Sequence, residues 1–231
     1  MTENNWKRIF SRIFEKELLG SKSLGNLEGL IEAGKMQISP ENMRKSFHPF
    51  LGAKKVLEIG VGSGAVSFLF YSSGSFVFGI DHCESSVDIC KKVMPDGVFK
   101  KKTASDSFFE KEKFDLIICN SVFQYFGSQN YCDEVIKNIL PKVRGVSKLL
   151  IMDLFEEEKK EEYERLRIKE LGISKKEWDQ RYEDCGHLYF CSSKFKKEIE
   201  SQGYDCQINS PSELFSSHRE FRFDAVIAAK Q

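Results

Sequence analysis

Residues 56–65 read Val-Leu-Glu-Ile-Gly-Val-Gly-Ser-Gly-Ala. Val56 to Ile59 has the look of a short buried strand, with one acid, Glu58, set just before the glycines. Gly60, Gly62 and Gly64 then alternate. Glycine accepts backbone conformations with positive φ and lets a ligand approach without meeting a Cβ. A strand that ends in such a loop and continues as a helix offers unpaired N–H groups and a positive dipole end to an anion. The stretch therefore predicts a cradle for a ligand carrying a carboxylate or a phosphate.

Working outward, the same rhythm repeats. The apolar runs KVLEIG, FVFGID, GVFKKK, FDLIICN and SKLLIMD are separated by helix-compatible stretches near 63–73, 84–94 and 130–143. Strands alternating with helices predict an α/β fold with a parallel sheet covered on both faces. Right-handed crossovers make it doubly wound. Ligands in such sheets sit beyond the carboxyl ends of the strands, where the strand order reverses. Asp81 ends the second run, about 20 residues past the first glycines, where an acid reaches ribose hydroxyls.

The flanks divide the chain into one domain with appendages. Residues 1–53 form an N-terminal helical cap: a helix over 3–19 with Trp6, Phe10 and Phe14 on one face, a loop over 20–38, and a helix capped by Ser39 with Pro40 in its first turn. Residues 54–153 are the cofactor-binding half. Residues 154–190 are a charged helical insertion, and 191–231 supply a last helix, capped by Ser192 or Ser193 and closed by Gly203, and two closing strands.

Composition narrows the function classes. Thirty-five basic residues balance thirty-five acidic ones, so no electrostatic footprint marks a nucleic-acid or anionic-membrane partner. The apolar runs are too short to span a bilayer. Seven cysteines, with no Cys-x-x-Cys spacing, predict free thiols in a reducing, cytoplasmic protein. Cys185, His187 and Cys191 match no zinc spacing, so no metal is expected.

The loop alone leaves two ligand classes open, because Gly60, Gly62 and Ala65 also satisfy the dinucleotide fingerprint. Glu58, the strict glycine alternation and the long segment before the first strand point the other way. Together EIGVGSG and GID resemble the first two motifs of the class I S-adenosylmethionine-dependent methyltransferases. FDLIICNSVFQYF (114–126) looks like that family's fourth-strand motif, and NILPKVRGVSKLLIMDL (138–154) like the helix and strand that follow. GHLYFCSSKF and SSHREFRFDAVI more narrowly resemble a bacterial subgroup acting on small molecules or sugars. The resemblance implies a seven-stranded, mostly parallel sheet whose last strand is antiparallel, and S-adenosyl-L-methionine as cofactor.

It also implies roles by position. Gly60, Gly62 and Gly64 would pass under the methionine end, with Glu58 fixing the loop and the amino group. Asp81 would take the ribose diol through charge-assisted hydrogen bonds, and His82 would lie against the adenine. Ala104 and Ser105 would neighbour the adenine. The acid the family usually places just before them is Thr103 here, so Asp106 is a shifted candidate. Asn120 would border the methyl group.

The implied reaction is methyl transfer to a small-molecule acceptor, such as a hydroxyl of a sugar or metabolite. Alignment supplies most of such catalysis, and an alcohol acceptor also needs a general base. His187 is the candidate base, with Tyr189 and Tyr125 behind it. Two other readings fit the same loop: an NAD(P)-dependent oxidoreductase, and a non-catalytic S-adenosylmethionine-binding module.

Overall fold

A computed structural model describes residues 5–20, 24–106, 108–183, 186–210 and 218–230. Its centre is a sheet of β1 (Lys55–Ile59), β2 (Phe76–Asp81), β3 (Val98–Lys101), β4 (Leu116–Asn120), β5 (Lys148–Glu156), β6 (Tyr189–Phe190), β7 (Tyr204–Asn209) and β8 (Arg222–Ala229). The order is β3-β2-β1-β4-β5-β8-β7, with the two-residue β6 added beside the end of β5. β8 runs antiparallel to both its neighbours, while β1 to β5 pair in parallel. This is the expected architecture with one extra short strand.

Alternation along the strands explains the two-sided core. Val56, Leu116, Ile118 and Leu150 face one layer, with Leu30, Met43, Phe47 and Phe70. Leu57, Ile59, Ile117 and Ile151 face the other, with Val135, Ile139, Phe195 and Ile199. Burial of both faces is what makes these strands near-continuous apolar runs. The covering helices are α4 (Ala65–Ser72), α5 (Glu84–Val93), α6 (Gln129–Ile139) and α9 (Ser192–Ser201).

The N-terminal segment holds α1 (Asn5–Gly20), α2 (Leu27–Ala33) and α3 (Pro40–Phe47). α2 takes up seven residues of the stretch expected as a loop over 20–38. The Asn26 side chain accepts from Gly29 N at 2.8 Å and caps it, and Leu27, Leu30 and Ile31 bury its apolar face. The glycines at 25, 29 and 34 hid this short helix from a periodicity reading. Residues 21–23 lie outside the described residues. Ser39 caps α3 as expected, accepting from Asn42 N at 3.2 Å. The α9 cap differs from expectation: Cys191 holds that position without a side-chain bond, and Ser192 is already helical.

β5 reaches Glu156, three residues beyond the expected end, so the insertion starts later, with α7 (Lys160–Leu171) and α8 (Lys175–Tyr182). The register against β8 shifts between Ile151 and Leu154, and Asp153 in that irregularity has φ +67°. A bulge of this kind re-aims a side chain, here a buried carboxylate. No helix among the described residues is long and apolar enough to cross a membrane.

Candidate active site

The ends of β1, β2, β4 and β5 open into one cavity of about 890 Å³, inside the roughly 300–1,000 Å³ range of small-molecule sites. It has two ends of different construction.

The first end is mostly backbone. Gly60, Gly62 and Gly64 have φ of +77°, +52° and +83°, a region that side chains with a Cβ rarely enter. A Cβ on Gly60 would stand 2.5 Å from Val122 Cγ2. Gly60 and Gly62 line the cavity, whereas Gly64 caps α4, and a Cβ there would meet Cys90 Sγ of α5 at 2.8 Å. Two of the three glycines thus face the cavity and the third seats a helix against its neighbour.

Asp81 ties this end together. Its Oδ2 accepts from Gly62 N at 2.9 Å and its Oδ1 from Cys83 N at 2.8 Å. Burial pushes its carboxyl up, opposed by His82 and by these backbone donors. Each carboxylate oxygen has a second lone pair, so the acid that shapes the loop can still accept from a diol. Glu58 lines the cavity but turns its Oε2 to Ser67, accepting from the amide at 2.9 Å and from the hydroxyl. Burial pushes Glu58 up to about 8 against the lowering effect of Ser67. Its observed work is to pin the first turns of α4 to β1.

Two buried polar atoms here have no hydrogen-bond partner among the described residues: Asn120 Oδ1 and His82 Nε2, both on cavity-lining residues. Buried polar atoms are paired in the great majority of cases, so these two mark places for a polar ligand. Ala104 lines the cavity with Lys102 and Thr103. Ser105 is absent from the lining; its hydroxyl donates to Tyr131 Oη at 3.2 Å. Asp106 folds back to accept from Thr103 N at 2.9 Å.

The second end is built from side chains of distant segments. Trp6 and Phe10 of α1 meet Tyr125, at ring-centroid separations of 4.8 and 5.0 Å. His187 stands 5.1 Å from Trp6, 5.4 Å from Tyr125 and 5.0 Å from Phe155. Burial, then Arg222 and Arg167, push His187 down to about 4. It is an uncharged ring at neutral pH and a weak proton acceptor. Tyr189 is not in the cavity lining; it borders a neighbouring recess with Trp178 and Lys160. Cys185 lies outside the described residues.

Sequence reading missed the polar centre of this end. Asp153 accepts from Gln124 Nε2 at 2.9 Å, from the Ser121 hydroxyl and from Arg222 Nη1, while Asp153 N donates to Asp224 Oδ1 at 2.9 Å. The Arg222 guanidinium also lies 4.1 Å from the Phe155 ring centroid. Burial raises Asp153, with Arg222 the main opposing influence. A signal was present: Asp153 interrupts LLIMDLFE, and an acid between buried neighbours requires a partner. Arg167 of α7 adds a second guanidinium, bonded through Nη1 to Glu170 at 2.6 Å.

Comparison with known proteins agrees with this geometry. Residues 57–145 match the family model described as a methyltransferase domain. Over 98% of its length the chain superimposes on 95% of magnesium protoporphyrin IX methyltransferase from Synechocystis PCC 6803 with bound SAM, at TM-score 0.60 and 12% identity. It also covers 95% of the DhpI chain in a SAM–HEP complex with 97% of its own, at TM-score 0.62 and 9% identity. Those likenesses are of fold. Among curated sequences, the nonribosomal peptide synthetase TES of Alternaria alternata is 33% identical over 120 residues, which is 47% of this chain and 2% of that protein. The chain spans only a few per cent of the length of the curated relatives it matches.

Residues 57–145 match a methyltransferase domain and the fold is that of structures solved with S-adenosylmethionine or S-adenosylhomocysteine bound, so the cofactor to set against this site is S-adenosylmethionine. The residues present fit that cofactor. Gly60 and Gly62 present bare backbone to the cavity, Asp81 has lone pairs for a ribose diol, and Asn120 Oδ1 and His82 Nε2 are buried polar atoms with no partner among the described residues.

Proposed function

We propose that this chain transfers the methyl group of S-adenosylmethionine to a small-molecule acceptor held at the aromatic end of the cavity. The observation that carries this reading is continuity: one cavity joins Gly60, Gly62, Asp81 and Asn120 to Trp6, Tyr125, Phe155 and His187. Donor and acceptor would then meet inside one enclosure, and bringing reactants together in an aligned geometry is the main source of rate in such a transfer.

When bound, the cofactor supplies an electrophilic methyl group on a sulfonium. The chain's residues do the rest. Gly60 and Gly62 let the backbone approach the methionine portion, and Asn120 Oδ1 accepts from its ammonium. Asp81 takes the ribose hydroxyls while holding Gly62 N. His82, Thr103 and Ala104 border the adenine. Trp6, Phe10 and Phe14 close over the cavity from α1 and exclude water. His187 serves as wall, because a group held near 4 takes up a proton poorly at neutral pH.

The balanced charge supports a small metabolite as acceptor, rather than a nucleic acid or a membrane surface. The six cysteines among the described residues are free thiols, five of them buried, which suits a reducing compartment such as the cytoplasm. The test is turnover with methyl-labelled S-adenosylmethionine against panels of small acids, phenols, alcohols and amines. Acceptor-dependent release of S-adenosylhomocysteine is the expected result. Tight cofactor binding with no release from any panel would mark a binding module without catalysis.

A further inference from the structure

The acceptor end combines three features that narrow the acceptor's chemistry. Its walls are rings from separate segments: Trp6, Phe10, Tyr125, Phe155, Tyr163 and His187. Stacked and edge-on rings of this kind favour a flat, aromatic guest. Two guanidiniums border the same space, Arg222 from the start of β8 and Arg167 from α7. The acids facing this end among the described residues come to one, Asp153, and its carboxylate already accepts from Ser121, Gln124 and Arg222. Asp153 holds Arg222, and Glu170 outside the lining holds Arg167 through Nη1, so the remaining N–H groups of Arg167 are the donors left for an anion.

The third feature is the shortage of proton acceptors. Asp153 already accepts three hydrogen bonds, two on Oδ2 from Ser121 and Gln124 and one on Oδ1 from the Arg222 guanidinium, which lowers its pull on a proton. His187 is boxed in by aromatic rings with both guanidiniums acting on it. Burial raises Tyr125 and Tyr163, so both remain protonated phenols. His218 turns its Nε2 to Glu170 at 2.9 Å. Among the described residues a neutral alcohol would find no ready base to receive its proton, whereas an acceptor that arrives as an anion needs none.

Resting on the methyl-transfer reading above, we propose that the acceptor is the anion of an aromatic carboxylic acid, drawn in by Arg167 and Arg222 and converted to its methyl ester. One carboxylate oxygen forms a bond to the methyl carbon as the carbon–sulfur bond breaks. Sulfur keeps that electron pair and leaves as the neutral thioether of S-adenosylhomocysteine, and no proton moves. The product ester has lost the charge that held it against the guanidiniums, which favours its release. Arginine suits this task because its planar fork matches a carboxylate and keeps its charge at every working pH.

The test uses the full chain saturated with S-adenosylhomocysteine and titrated by calorimetry with 2-naphthoate, methyl 2-naphthoate and 2-naphthol. The naphthoate is expected to bind at least about tenfold more tightly than either neutral analogue, the worth of one charge-assisted hydrogen bond. Arg167→Gln should remove most of that preference and Arg167→Lys should restore part of it. Turnover with 2-naphthoate should yield a product that releases methanol in alkali. A neutral analogue binding as tightly as the acid, or a preference untouched by Arg167→Gln, would overturn the carboxylate assignment while leaving methyl transfer standing. Failure to bind S-adenosylhomocysteine at all would instead strike the methyl-transfer reading itself.

Discussion

The two ends of the cavity are made by different means. The cofactor end is three consecutive chain features, a strand end, a glycine turn and a helix start, with one acid from the adjacent strand. Its contacts are largely backbone, and Asp81 organises them by bonding to Gly62 N and Cys83 N. The acceptor end is assembled from single side chains at 6, 125, 155, 167, 187 and 222, and its organiser is the buried pair of Asp153 and Arg222. Backbone cradles recognise what every member of a class shares, whereas side-chain chambers can be rebuilt for each acceptor.

The sharpest way to break this comparison is at the ion pair. Arg222→Met would leave Asp153 buried without its cation, and losing one partner of a buried pair costs roughly 3 kcal/mol or more. Chemical denaturation at neutral pH should show that loss, and the double variant with Asp153→Asn should recover much of it. A single-variant loss below about 1 kcal/mol, within the range of exposed pairs, would mean the pair does not organise the acceptor end.

The next test uses pH, because the two ends titrate in opposite senses. Glu58, at about 8 when folded against its ordinary 4.5, binds a proton in the folded state that the unfolded chain has lost. Its contribution to stability is therefore largest at low pH and is lost as pH rises from 4.5 to about 8. His187, at about 4 against its ordinary 6.5, does the reverse: stability is lost as pH falls from 6.5 toward 4. The two trends oppose each other where the windows overlap, and above 6.5 only the Glu58 decline of this pair remains. Over that last stretch it amounts to about 2 kcal/mol in the ligand-free protein. Glu58→Gln should flatten the decline above pH 6.5 in denaturation midpoints, and His187→Phe should flatten only the acid side. Identical profiles for wild type and Glu58→Gln would show that the carboxyl is ionised when folded.

A smaller effect separates the glycines. Gly64→Ala places a Cβ 2.8 Å from Cys90 Sγ at φ +83°, so about 1–2 kcal/mol of stability should go, from left-handed strain plus repacking. Affinity of the remaining folded protein for S-adenosylmethionine should change little. Gly60→Ala, beside the ligand space, should lower both. Equal losses of affinity in the two variants would mean that the loop responds as one unit.

The same contrast explains what could be read from the sequence. The glycine loop and its pairing with Asp81 were legible because their signal is local: three glycines and an acid at fixed spacings, inside alternating apolar runs whose periodicity also revealed the doubly wound sheet. The division of labour among the glycines was not legible, since Gly64 faces α5 through a contact between residues far apart in the chain. The acceptor end was mostly hidden because Arg222 meets Asp153 only through the antiparallel pairing of β8 with β5. An arginine opening a strand reads like any exposed residue, and the rings and burial that hold His187 near 4 come from segments distant in the chain. α2 escaped notice because a seven-residue helix rich in flanking glycine shows little periodicity.

The most direct test of the central claim is calorimetric titration of the purified chain with S-adenosylmethionine, S-adenosylhomocysteine and NAD(H), beside Asp81→Ala. The structure predicts binding of the first two in the micromolar range or tighter, no binding of NAD(H), and a loss of about a hundredfold in Asp81→Ala, which removes two charge-assisted bonds and the anchor of Gly62. Binding of NAD(H) in place of S-adenosylmethionine, or an Asp81→Ala variant that binds S-adenosylmethionine as tightly as the parent, would contradict it.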